Sequence, residues 1–267
     1  MKSLRLISIV PAVIISLAVA FSARAAEKAS SMTASDLASR LSALRQSGVS
    51  YARLRMEIKG ATNATLQLQI KERRTTNSSE VVYQVLFPKE RKGEGVLLRK
   101  VGKSPASGSV FVPPDTLRPI EDLKEPLLGS DLSYEDVIDN FFAWEQQAIV
   151  GDEMVDGVNC TILESKPGKS EHSIYGTVRS WIDVRRLIPL RIEKYDTSGQ
   201  LLRRINTTRV VPDIGRYLPA DLTVTGARPG SSTLLDGSRI TRKIIYADRD
   251  FTIEGLKELT APRRTPD

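Results

Sequence analysis

The stretch LRMEIKGATNATLQLQIKERRTTNSSEVVYQVLF, residues 54–87, sets the fold class. Leu54, Met56 and Ile58 alternate with Arg55, Glu57 and Lys59. Leu66, Leu68 and Ile70 alternate with Gln67, Gln69 and Lys71, and Val81, Tyr83, Val85 and Phe87 continue the series. A period of two places the apolar side chains on one face and the polar ones on the other, so each run reads as a strand with one dry and one wet face. The connections are short and polar. Parallel neighbours would need crossover helices that are missing here, so the strands form an antiparallel meander.

Upstream, Thr33-x-x-Asp36 reads as a capping box with Met32 and Leu37 as its hydrophobic staple, and Leu37, Leu41 and Leu44 recur at helical spacing as far as Gly48. The apolar stripe is narrow, so this helix lies on a surface made by something else. Downstream, strand-like segments follow at 94–101 and 107–112. Pro113, Pro114, Pro119 and Pro126 then mark residues 113–129 as a long loop with little regular structure. Ser133-x-x-Asp136 is a second capping box, with Leu132 and Val137 as its staple and Phe141 and Phe142 beyond it. Asp156-Gly157 signals a tight hairpin, because this pair tolerates the positive φ angles of a type I′ turn. A further hairpin is predicted within 181–195, where Asp183 faces Arg191, Trp181 and Tyr195 share the outer surface, and Ile182, Val184, Leu190 and Ile192 face the dry side. Ser198-Gly199 turns the chain again, and RYLPADLTVTG and SRITRKIIYADRD supply the last strands. Roughly ten to twelve strands against two or three helices call for a large, strongly curved sheet with helices on one side.

The first residues form a separate signal. Lys2 and Arg5 precede an apolar run from Leu6 to Phe21, and Ala23-Arg24-Ala25 is a small-x-small cleavage site. This is the pattern of a signal peptide, residues 1–25, since the run is short for a span of about 20 residues and holds Pro11. It leaves 26–267 as a single domain. Losing Lys2, Arg5 and Arg24 lowers the formal net charge of +7 by three. Nucleic-acid binding, which needs a clustered basic face, is not expected. One cysteine, Cys160, excludes an internal disulfide, and no cysteine follows the cleavage site to take a lipid.

Charge is arranged in blocks. Residues 53–103 hold 12 Lys/Arg against 5 Asp/Glu, 115–156 hold 2 against 12, and 166–209 hold 10 against 4. A solvated face and a docking surface for a partner both fit the acidic block.

Catalytic chemistry finds no constellation. His172 is the single histidine and sits between Glu171 and Ser173, whose side chains diverge. A Gly-x-Ser-x-Gly elbow is missing, and Cys160 lies inside a strand pattern as a small hydrophobe. Gly93-Glu94-Gly95 lacks the third glycine of a dinucleotide loop, and GDEMVDG lacks calcium-loop spacing. No catalytic residue, cofactor or metal site is assigned. An incompletely closed antiparallel barrel has an interior filled by its own side chains or by a ligand. Aromatics are 6% of this chain, and an interior of Leu, Ile, Val and Met suits acyl chains.

Five segments, GSDLSYEDV (129–137), EMVDGVNCTILESKP (153–167), WIDVRRLIPLRIEKYDTSGQLL (181–202), GRYLPADLTV (215–224) and DFTIEGLKEL (250–259), occur in the order and spacing of the outer-membrane lipoprotein-sorting-protein-like family. The chain resembles this LolA-like family over about residues 30–260. The resemblance implies a mainly β (α+β) fold: a large curved antiparallel sheet forming an incomplete barrel with covering helices, LolA/LolB-like. It further implies a periplasmic carrier that binds lipid or lipoprotein acyl chains for transfer towards the outer membrane. Relatives working beside inner-membrane transporters of the resistance-nodulation-division type suggest the alternative, a non-catalytic accessory or sensor docking on an envelope partner. The chain departs from the pattern in being longer than a typical LolA carrier, and its leader lacks the lipobox of a LolB-like acceptor. Candidate cavity residues are Leu54, Met56, Ile58, Leu66, Leu68, Ile70, Tyr83, Val85 and Phe87 on the early strands and Phe141, Phe142 and Trp144 from the helical cover. Ordinary core packing is the competing role for each.

Overall fold

The computed structural model describes residues 32–46, 48–213, 215–226 and 228–265. The signal-peptide segment lies outside them. Helix α1, Ala34–Arg45, starts where sequence places it: Thr33 accepts a hydrogen bond from the Asp36 N–H at 3.1 Å, and Met32 packs in the same cluster as Leu37. Six strands follow by short turns: β1 Gly48–Lys59, β2 Ala64–Arg74, β3 Ser78–Phe87, β4 Gly95–Val101, β5 Ser107–Val112 and β6 Thr116–Pro119. The one-turn helix α2, Tyr134–Ile138, and a 3-10 turn at Phe141–Ala143 lead into β7 Gln146–Val155, β8 Val158–Lys166, β9 Thr177–Asp183, β10 Ile188–Tyr195, β11 Leu201–Asp213, β12 Arg216–Thr225 and β13 Ser232–Thr241. A small pair, β14 Ile244–Ile245 and β15 Arg263–Arg264, flanks helix α3, Ile253–Lys257.

The first thirteen strands make one antiparallel sheet, ordered β6-β5-β4-β3-β2-β1-β13-β12-β11-β10-β9-β8-β7. Two meanders, β1–β6 and β7–β13, meet where β1 pairs with β13 from Tyr51↔Thr241 to Lys59↔Ser232. The sheet does not close, and β6 and β7 are its edges. Among the described residues, no helix is long and apolar enough to cross a membrane.

On one face, Met56, Leu66, Leu68, Val81, Val85 and Val96 pack against Leu127, Leu132, Tyr134 and Ile138 from the segment containing α2. Farther along that face, α1 sets Leu37 and Leu41 with Phe141, Phe142 and Trp144 over Leu163, Val178 and Ile182. The Asp156-Gly157 turn has the expected form, with φ of 49° and 79° between the paired Val155 and Val158.

Several sequence expectations are corrected. Residues 113–129 are not one irregular loop, because Thr116–Pro119 pairs with β5 as an edge strand, where proline's missing N–H costs no ladder bond. The polar face of the early strands is not uniformly wet. Val82, Leu97 and Phe111 point away from the main core and are covered by Phe251 and Leu256 of the C-terminal segment, so cover lies on both sides of the sheet. Lys71 on this second face is fully buried, with Nζ 2.9 Å from Asp250 and from the Thr260 hydroxyl, while Gln84 donates to the Leu256 and Glu258 carbonyls. SRITRKIIYADRD is not one strand: β13 ends at Thr241, and the chain crosses to make this cover.

The 181–195 hairpin is also reset. Asp183 pairs with Ile188 next to the turn, and a bulge between Pro189 and Arg191 inserts Leu190, so Arg191 opposes Trp181. Leu190 shares the face of Ile188 and packs with Trp181 and Cys160 on the outer side, whereas the bulge turns Ile192 to the α1 cluster with Ile182 and Val184. The Asp183 carboxylate instead pairs with Arg186 within its own turn.

Candidate functional site

Beneath α1 and α2, an open cavity of about 430 Å³ penetrates between the cover and the sheet. Its wall is assembled from both meanders: Leu54 and Met56 of β1, Ile70 of β2, Tyr83 of β3, Ile192 of β10, Ile205 of β11, Leu222 of β12, and Leu235 and Ile240 of β13. Leu41 and Leu44 of α1, Val137 of α2 and Phe142 supply the other side. The exposed lining residues Gly48 and Tyr217 mark where it opens. A volume in the 300–1,000 Å³ range and a mainly apolar wall with polar groups gathered at one end are ordinary properties of a small-molecule site.

Of the candidates named from sequence, Leu54, Met56, Ile70, Tyr83 and Phe142 line this cavity. Ile58, Leu66, Leu68 and Val85 lie deeper in the closed core under Leu127 and Leu128, and Phe141 and Trp144 pack among the α1 contacts without lining it. Phe87 does not face the interior at all, being 53% exposed. A bulge pairs Gln67 with Phe87 but Leu68 with Val85, so the alternation that carries Val81, Tyr83 and Val85 inward is broken before residue 87.

The polar part of the lining was not legible in the sequence. At the end of the cavity beside the α1 C-terminus stand Arg45, Ser50, Glu72, Arg74, Arg216 and Arg242. Arg74 is buried; its Nε lies 2.5 Å from Glu72, and its Nη atoms donate to the carbonyls of Val137 at 2.8 Å and Ile138 at 3.2 Å, satisfying the C-terminal end of α2. Burial opposes the charge of Glu72, but Arg74, the Ser50 hydroxyl at 2.8 Å and Arg45 outweigh it and hold the carboxyl below its ordinary value. Arg45 is pushed down to about 10 by burial and by repulsion from Arg74, against the pull of Glu72 and Asp139. Its Nε is enclosed and has no hydrogen-bond partner among the described residues. Burial, with the nearby Glu72 charge, raises the Tyr83 phenol. Arg216 and Arg242 share the Asp213 carboxylate at 3.3 and 3.0 Å. The six polar lining residues of this end lie on α1, β1, β2 and β12 and, for Arg242, just past the end of β13, and each reads locally as part of a solvated basic or mixed stretch.

Asp136 also borders the cavity and is fully buried between Lys194 Nζ at 2.7 Å and Arg203 Nε at 2.5 Å, with the Tyr175 hydroxyl donating at 2.7 Å. Asp131, Glu135 and Asp139 are buried too, and Asp131 and Asp139 pair with Arg228 and Lys100. Four carboxylates of the acidic 115–156 block are therefore turned inward and engaged within the chain, rather than presented to a partner.

His172 is exposed and Cys160 fully buried. Among the described residues, no group of three His, Cys, Asp or Glu is placed to hold a metal ion.

A family model described as that of an uncharacterized protein matches residues 77–258, more than half of the chain. No curated protein matches the sequence. Among solved structures, the chain is similar to a DUF1329 family protein from Desulfovibrio piger, at 24% identity and a TM-score of 0.77, covering 84% of this chain and 97% of that one. It is similar to a domain described as outer membrane lipoprotein-sorting from Vibrio parahaemolyticus, at 21% identity and a TM-score of 0.75 over 84% and 98% of the two chains. A LolA superfamily protein from Nitrosomonas europaea is 18% identical with a TM-score of 0.67 over 84% and 99%. The chain belongs to the family of the matching model, and its fold is similar to that of the LolA-like structures.

Proposed function

We propose that this protein is a non-catalytic periplasmic carrier that binds acyl chains of lipid or lipoprotein in the cavity beneath α1 and α2 and delivers them towards the outer membrane. The observation that carries this reading is an open cavity with a wall contributed by both meanders and by the covering helices, mostly aliphatic away from its charged end. Burying a methylene contributes about 0.8 kcal/mol, so about ten of them give roughly 8 kcal/mol before ordering costs, enough to hold a chain in water and still release it. The leader-like first 25 residues support export, and the described sorting role of the Vibrio protein supports the direction of transfer.

The alternative, an accessory docking on a transporter of the resistance-nodulation-division type through the acidic block, has less to support it, since the buried carboxylates of that block already serve internal partners.

The test is organic extraction and mass spectrometry of protein purified from the periplasm, together with uptake of a fluorescent fatty acid. Co-purifying acyl chains and saturable uptake are expected, with uptake reduced at least about fivefold in Leu222→Trp, which fills the lumen. No extractable lipid and no uptake would refute the carrier.

A further inference from the structure

The cavity is not uniformly apolar, and the asymmetry of its charge defines the ligand further. Four guanidiniums, Arg45, Arg74, Arg216 and Arg242, stand at one end against two carboxylates, Glu72 and Asp213. The third nearby carboxylate, Asp136, is already bracketed by Lys194 and Arg203. Asp139, whose charge also reaches Arg45, is paired with Lys100. Positive charge is thus in excess at this partly enclosed end, and charge held out of full contact with water is costly unless a counter-charge arrives.

One group there is also short of a partner. The enclosed Arg45 Nε has none among the described residues, while an Nη of Arg45 donates to the Asp136 carbonyl at 3.4 Å and its guanidinium lies 6.0 Å from the Phe141 ring. Tyr83 is 9% exposed and lines the same cavity. A favourable position near the negative end of α1 accounts for a cation in its last turn, but not for a guanidinium enclosed by the lumen beside a second arginine.

Building on the carrier reading, we propose that the ligand is an anionic amphiphile, its acyl chain along the Leu54–Met56–Leu222–Leu235 wall and its carboxylate or phosphate head held at the α1 end by Arg45, with Arg74 and the Tyr83 hydroxyl as supporting donors. Guanidinium is suited to this role because it presents several N–H donors to two oxygens at once. Free fatty acids and anionic lipid head groups share this chemistry.

The experiment compares binding of four probes with one twelve-carbon tail, dodecanoate, dodecyl phosphate, methyl dodecanoate and dodecanol, by displacement of a fluorescent fatty acid below micelle-forming concentrations. Both anions are expected to bind about tenfold or more tightly than the ester and alcohol, the size of a charge-assisted hydrogen bond. Arg45→Gln narrows that ratio, while Arg118→Gln, on the exposed edge strand β6, leaves it unchanged. The tighter of the two anions identifies carboxylate or phosphate as the natural head. Equal binding of all four probes to the unaltered protein, or an anion preference untouched by Arg45→Gln in a folded variant, overturns the head-group assignment and leaves the acyl carrier standing. Failure of all four to bind overturns both.

Discussion

At the scale of single residues, the most consequential group is Asp136. Its side chain closes the capping box of α2, accepts from the Ser133 N–H at 2.7 Å, and receives Lys194 from β10 and Arg203 from β11. Burial works against its charge, but the two cations and their hydrogen bonds prevail and hold the carboxyl at about 2, below its ordinary 3.8. A depressed folded value means that this stabilisation is complete above the unfolded carboxyl range and is lost as pH falls from about 4 towards 2. Urea unfolding at a series of pH values should show the wild type losing about 2 kcal/mol more over that window than Asp136→Asn. At pH 7 the same variant should be less stable by about 3–5 kcal/mol, because Lys194 and Arg203 are left enclosed without their counter-charge. A flat difference between the two proteins across pH 4 to 2 would show that Asp136 is not ionised in the fold.

At the scale of elements, bulges decide which side chains look inward. The irregularity between Gln67 and Leu68 keeps Leu68 and Val85 in the core and turns Phe87 out. Leu68→Ala is therefore expected to cost about 2–5 kcal/mol in urea unfolding. Phe87→Ala, which the uninterrupted alternation would make equally damaging, should stay within about 0.5 kcal/mol of wild type. The Asp156-Gly157 turn gives a further check: Gly157 holds φ of 79°, so Gly157→Val should destabilise the β7–β8 hairpin by at least about 1 kcal/mol. Amide exchange slowed at Val155 and Val158 in the wild type and accelerated in the variant would locate that loss.

At the scale of the molecule, the β1–β13 pairing joins two meanders into one sheet, and the cavity wall draws on both. Trp144 and Trp181 both sit with the second meander, so tryptophan fluorescence reports on that half. If the halves unfold as one unit, Leu68→Ala in β2 should shift the fluorescence transition and the far-ultraviolet circular dichroism transition by the same amount of urea. A fluorescence midpoint that stays in place while the dichroism moves would show two separable units. The same union explains the charge blocks: acidic residues around α2 lie between basic residues of β2, β4, β10 and β11, so alternating blocks along the chain become paired layers in space.

The sequence alone determined the antiparallel class, the N-caps of α1 and α2, the Asp156-Gly157 turn and the resemblance to a LolA-like group, because each depends on spacing within a few residues or on an ordered series of local turns. It also placed Leu54, Met56, Ile70, Tyr83 and Phe142 on the inner side, which a period of two suffices to do. Only the tertiary structure decided that Phe87 turns outward and that Leu190 and Ile192 take opposite faces, since one inserted residue reverses a face without changing composition. It alone brought Arg45, Glu72, Arg74, Asp213 and Arg242 to one end of an oily cavity, because excess buried charge is a property of elements far apart in the chain that no local pattern records.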